Sequence, residues 1–181
     1  MSQALLHAWR HPRPEGAGGL CVGARTDLPV DRRRAKRLAH RIRQQARRER
    51  LPRVVATSPL QRCAAVGRWL RRWGWEHRID ADLIELDFGE WDGQPWASVS
   101  RDAVDAWCAN FAHHAPGGGE TLDHLLHRAA AWRASGAYCV VTHGGWMLAR
   151  AWMQQRPGER PTASQWPAAP AYGSRMAWPL V

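Results

Sequence analysis

Tyrosine and phenylalanine are scarce in this chain, two of each, lysine occurs once, and acids number 16 against 26 basic residues. No apolar run approaches the roughly 20 residues of a membrane-spanning helix, so the sequence offers no such span and no membrane partner is expected. Cysteine is confined to Cys21, Cys63, Cys108 and Cys139, without a CxxC pair or a Cys/His cluster at zinc spacing. That excludes a disulfide scaffold and a structural zinc site read from sequence. The thiols read as reduced, and the apolar stretch at residues 1–6 is too short for a signal-peptide core before Arg10 intervenes. A cytoplasmic location is the expectation. Internal repeats and linker-like segments are also missing. The 181 residues therefore read as one domain spanning 1–181, large enough to fold without a metal or disulfide staple.

What is abundant is arginine and tryptophan. Lys36 is the one lysine, so Arg supplies the other 25 of 26 basic residues, a bias that points to genome composition more than to recognition chemistry. Net charge is +10, and segment 32–50 holds ten cations with a single acid, Glu49, leaving the rest of the chain nearly neutral. The same segment spaces Ala35, Leu38, Ala39, Ile42 and Ala46 as one helical stripe. It reads as a surface helix with a solvated cationic face. Binding of RNA, DNA or another polyanion is the alternative, but nucleic acid is not the expected partner. The 12 tryptophans are assigned to core or groove walls.

Residues 4–9 read as a first strand ending at Arg10-His11-Pro12, with His11 held extended by the proline that follows it. Gly and Pro make 13–28 a loop, and Asp31 is placed to cap the basic helix. Val54–Thr57 reads as strand two, with Ser58 as N-cap and Pro59 as first residue of the next helix. A weak third strand is expected at 83–86, helices at 95–112 and 121–135, a strand at 137–142, a helix from His143 to about Gln155, and an edge strand within 172–178. Alternating strands and helices imply an α/β three-layer sandwich, a mostly parallel sheet with helices on both faces. In such sheets ligands bind beyond the carboxyl ends of the strands. His11, Arg62, Glu85 and His143 are all expected at that rim.

Arg10-His11, Ser58-Pro59-Leu60-Gln61-Arg62, the run Glu85 to Trp91, and Thr142-His143-Gly144-Gly145 together resemble the histidine phosphatase (phosphoglycerate mutase-like) superfamily. The loop at 23–29 and the segment 116–121 resemble its alpha-ribazole phosphatase branch, which acts late in cobalamin assembly. The resemblance implies a phosphomonoester hydrolase with His11 as nucleophile and a phosphohistidine intermediate, acting on a small phosphorylated metabolite such as alpha-ribazole 5′-phosphate. Glu85, four residues before Gly89 as the family's acid is before its loop glycine, is implied as proton donor; Asp87 and Glu90 are its rivals. Physical chemistry points the same way. Phosphoryl transfer needs fixed cations around three equatorial oxygens, and Arg10 and Arg62 are planar forks that match them. A neutral imidazole at His11 is a competent nucleophile. His143, at a helix start, would add a donor once an anionic neighbour protonates it.

Two features depart from the family pattern. Pro12 stands where the family has glycine and has no N–H to offer an anion. The residues that usually follow are replaced by Arg13-Pro14-Glu15, so Arg25 is the candidate to supply a missing phosphate contact. The histidines at 113, 114, 124 and 127 lack a third ligand at metal spacing, so no metal and no cofactor are expected. Trp91, Trp96 and Trp107 suggest an aromatic-walled pocket for the leaving group. The alternatives are a broad-specificity or phosphoprotein phosphatase and a non-catalytic phosphate- or polyanion-binding member of the fold. Oligomeric state is not readable.

Overall fold

The computed structural model describes residues 4–180. Its centre is a five-stranded sheet in the order β3-β2-β4-β1-β5. The strands are β1 (Leu5–Arg10), β2 (Val54–Thr57), β3 (Glu76–Ile79), β4 (Cys139–Thr142) and β5 (Arg175–Pro179). The first four run parallel; β5 is an antiparallel edge strand on β1. This is the expected three-layer architecture around a mostly parallel sheet. Side-chain alternation sorts the strand residues between two cores. Leu6, Ala8, Ala56 and Val140 face one, while Trp9, Val55, Cys139 and Val141 face the other.

Helices α1 (Arg32–Glu49) and α2 (Gln61–Arg72) cover the second core, and α4 (Leu122–Ala131) and α5 (Gly144–Gln155) cover the first. Helix α3 (Arg101–Ala109) follows the long loop after β3. The stripe read from sequence in α1 is buried at all five positions, and Asp31 accepts from the backbone N–H of Arg34 at 2.9 Å. Because β4 inserts between β1 and β2, the carboxyl ends of those three strands open side by side, the crevice where open α/β sheets bind ligands.

Three expectations need correction. Strand three is Glu76–Ile79, not 83–86. Leu83 and Leu86 are buried, which produced the strand-like pattern. Yet the carbonyls of 82–86 pair with side chains and a loop: Thr142 Oγ1 donates to Leu83 O, Trp146 Nε1 to Asp82 O, Arg128 to Asp82, Ile84 and Glu85 O, and Ala24 N–H to Leu86 O. The real β3 is four residues long, polar, and paired on one side only, so it carries little apolar signal. The helix expected over 95–112 is a short turn at Trp96–Ser98 followed by α3, with Ser100 accepting from the Ala103 N–H as its cap. Helix α2 begins at Gln61, with Leu60 rather than Ser58 at the cap position. Its orphan N–H is met instead by Asp27 from the distant loop, whose carboxylate accepts from Gln61 N at 2.6 Å.

Candidate active site

The site is built on the amino end of α5, where strand ends and one loop converge. His11 follows β1 and is 4% exposed. Its Nδ1 lies 2.7 Å from the Pro12 carbonyl oxygen. A carbonyl can only accept, so Nδ1 carries the proton and Nε2 holds a free lone pair. Proline at 12 therefore keeps the one backbone group that orients the ring. Burial first, then the guanidinium of Arg62, and after the opposing pull of the Pro12 carbonyl that of Arg10, hold His11 well below the ordinary imidazole pKa. These influences favour the neutral imidazole.

His143 caps the start of α5, fully buried, with its ring 5.0 Å from that of His11 and set edge-on. Arg62 Nε donates to His143 Nδ1 at 3.2 Å, so Nδ1 is bare and Nε2 bears the proton, donated to Ser58 Oγ at 2.7 Å. Burial, then Arg62, His11, Arg128 and Arg10, keep its pKa well below the usual value. His143 is thus placed as a neutral donor; charging it requires Arg62 to surrender that bond. Arg62 is itself buried, its Nη1 on Thr26 O at 2.6 Å and Nη2 on Gly23 O at 2.8 Å. Each terminal nitrogen keeps a second N–H.

Arg10 reaches over the same helix end. A Cβ added to Gly144 would lie 3.3 Å from Arg10 Nε, which is buried without a hydrogen-bond partner. Its Nη1 donates to Pro170 O at 2.6 Å, and its Cζ lies 3.9 Å from the centroid of the Tyr172 ring, itself 5.6 Å from His11. Glu85 approaches from the other side, accepting from Gly145 N at 3.1 Å and from Leu86 N at 3.0 Å. Arg10, His11, Arg62, Glu85 and His143 are therefore brought together. Arg25 is not: its half-exposed guanidinium is clasped by both oxygens of Asp87, at 2.8 and 3.0 Å. Asp87, the rival acid, is committed to that pair and to the Gly89 N–H. Glu90 is exposed.

Four supporting roles escaped the sequence reading. Asp92 binds the N–H groups of Gly23 and Arg25 and the hydroxyl of Thr26, shaping the loop that holds Arg62. Arg128 holds the carbonyls of the Glu85 segment and pairs with Glu120 at 2.8 Å. Ser58 takes the His143 proton, and Tyr172 flanks His11. Ser58 stands inside the Ser58–Arg62 motif, whereas Asp92 and Tyr172 lie tens of residues from what they touch, as Arg128 does from the Glu85 segment, and these three carry no local signal. Among the described residues no three His, Cys, Asp or Glu side chains are grouped to hold a metal ion. Beside Arg10, Glu85 and Gly145 opens a cavity of about 390 Å³, walled by Phe88, Trp96, Trp107, Phe111, Trp166 and Tyr172. Trp96 and Trp107 line it as expected; Trp91 packs behind, 6.4 and 5.9 Å from those two rings.

Residues 6–169 match the family model of the histidine phosphatase superfamily, branch 1. The chain belongs to that superfamily. Among solved structures, the chain is similar to mycobacterial glucosyl-3-phosphoglycerate phosphatase in complex with VO3, with 23% identity, TM-score 0.73, and 97% of this chain and 92% of that one covered. It is similar also to the alpha-ribazole phosphatase from Shigella flexneri, at 22% identity and TM-score 0.71, covering 96% and 89%. At such identities these likenesses establish a shared fold. Among curated proteins no sequence matches this chain. No helix among its described residues is long and apolar enough to cross a membrane.

Proposed function

We propose that the protein is a metal-independent phosphomonoesterase that carries the phosphoryl group on His11 Nε2. The observation that supports this most is the fixed tautomer of His11, with Nδ1–H on the Pro12 carbonyl and the opposite nitrogen bare among Arg10, Arg62 and His143. In the first step the Nε2 lone pair attacks phosphorus, the ester P–O bond breaks, and Glu85 gives its proton to the leaving alkoxide. In the second, Glu85 takes a proton from water, the resulting oxygen attacks phosphorus, and the N–P bond breaks to release phosphate and restore His11. Arg10 and Arg62 spread the equatorial charge, and the α5 amino end adds backbone N–H groups.

The leaving group sits in the aromatic cavity. Its walls favour a planar, weakly polar alcohol, and alpha-ribazole 5′-phosphate, a cobalamin precursor, is the substrate we propose. A polar phosphoglycerate ester finds no charged side chain along those walls other than Arg10 and Glu85. The buried thiols of Cys21, Cys63 and Cys139 suit a reducing, cytoplasmic setting. The decisive experiment feeds ³²P-labelled ester to the enzyme in EDTA and quenches it. Label should be bound covalently, survive base and fall off in acid, as phosphohistidine does. His11→Ala should fold normally and lose both label and turnover. Label stable to acid, or turnover retained by that variant, would overturn the assignment.

A further inference from the structure

Helix α1 breaks local rules in a way that folding does not explain. Its first turn holds Arg32, Arg33 and Arg34 and no acid, although the amino end of a helix dipole repels cations. Arg32–Lys36, Arg33–Arg37, Arg37–Arg41 and Arg43–Arg47 are like-charged pairs four residues apart, each mildly destabilising. Neither nearby acid relieves them. Asp31 is spent as the cap, and Glu49 turns toward His7 and Arg175, at 2.6 and 3.5 Å. Among the described residues none of the α1 cations is ion-paired. Conflict between local rules and the fold marks places kept for function.

Helix α2 lays tryptophans against this face. Trp69 and Trp73 are half-buried, with ring centroids 5.8 Å apart. Arg32 and Lys36 stand 5.2 Å from the Trp69 centroid and Arg72 6.0 Å, while Arg43 lies 5.6 Å from that of Trp73 and the His40 ring 4.3 Å. The indoles are thus ringed by cations at the outer part of cation–π reach. A shallow cavity of about 310 Å³ beside Trp69 is bounded by Arg32, Arg68 and Arg72. Another of about 240 Å³ beside Trp73 is bounded by Arg43, Arg47, Arg50 and Arg53. Arg32, Lys36, Arg43 and Arg47, spaced by 4, 7 and 4 residues, fall on one helical face roughly 22 Å long.

The structure assigns this α1–α2 face to single-stranded nucleic acid, its phosphates along the arginine row and its bases on Trp69 and Trp73. Cations alone would suit any polyanion; the paired indoles between them match the stacking platforms that single strands use. A second copy of the chain is repelled by the same charge.

The test is fluorescence anisotropy with a labelled 20-nucleotide oligouridylate, using the full chain and a salt series. Binding should weaken linearly in log–log form, with a slope near −0.7 per phosphate contacted. Arg32→Gln with Lys36→Gln, both exposed, should flatten that slope by about 1.4 and leave hydrolysis of a small ester unchanged. Trp69→Leu should cost roughly tenfold in affinity, and Trp69→Phe should recover most of it. Because Trp69 is half-buried, thermal melts of both variants verify folding, and the glutamine pair stands independently of it. Equal affinity for heparin, duplex RNA or acidic phosphatidylserine vesicles overturns the assignment, as does indifference to Trp69→Leu in a folded protein, or no binding at 50 mM salt.

Discussion

At the scale of single residues the proposed mechanism turns on which carboxyl would protonate the leaving group. Glu85 lines the aromatic cavity and is held by the Gly145 and Leu86 N–H groups, whereas Asp87 is bound to Arg25. General acid catalysis matters in proportion to the basicity of the leaving oxygen. Glu85→Gln should therefore slow hydrolysis of an alkyl phosphate by roughly 10²–10⁴-fold and that of p-nitrophenyl phosphate far less. Equal losses on both substrates, or a loss confined to Asp87→Asn, would transfer the role. Gly145→Ala tests the same point from the backbone, since its Cβ would collide with the Glu85 carboxylate. It should reproduce the leaving-group dependence of Glu85→Gln with the fold intact. The family resemblance, which puts the acid four residues before Gly89, pointed to Glu85, and Glu85 lies beside Gly145. The position of Arg25 was not legible because a loop cation says nothing about its partner; Asp87, 62 residues on, pairs with it.

At the scale of elements, the loop at 23–27 is the piece that joins site to scaffold. Its Gly23 and Thr26 carbonyls hold Arg62, its Asp27 caps α2, and Asp92 fixes its turn. Asp27→Ala should cost about 1 kcal/mol in urea melts, the usual worth of an N-cap. It should also weaken inhibition by phosphate, because Arg62 rides on the first turn of the helix that loses its cap. A stability loss with unchanged phosphate affinity would mean that Arg62 is placed by α2 packing alone. The same element shows what sequence can and cannot disclose. Long amphipathic α1, the buried β1 and β4, and the His143 helix start were legible because periodicity and composition are local. The cap of α2, the true β3 and the extended path of 82–86 depend on hydrogen bonds between segments far apart in sequence. Burial without strand pairing leaves the same apolar pattern as a strand, so 83–86 was read as one.

Across the whole molecule, several imidazoles are carried in the neutral form. Burial dominates in each. Arg62 and Arg10 depress His11 further, Arg62 foremost depresses His143, and Arg68 and Arg71 depress His77. His7, at the opposite end of β1, is lowered by burial and Arg175 against the pull of Glu49. Each of these groups has a folded-state pKa below its unfolded value of about 6.5. Between the two values the unfolded chain binds more protons than the folded one, so stability falls as pH drops below about 6.5 and is recovered above it. Inside its window each histidine contributes a slope of about 1.4 kcal/mol per pH unit. Urea midpoints should therefore decline from pH 7.5 to 5.5, with His11 and His143 staying neutral by imidazole NMR in the folded state. Acid loss could also arise from the repulsion of a chain already at +10, and His7→Gln separates the two. It removes one titrating group remote from His11 and His143 while leaving every arginine in place. A shallower slope in that variant assigns the pH dependence to buried imidazoles; an unchanged slope assigns it to the arginine surface.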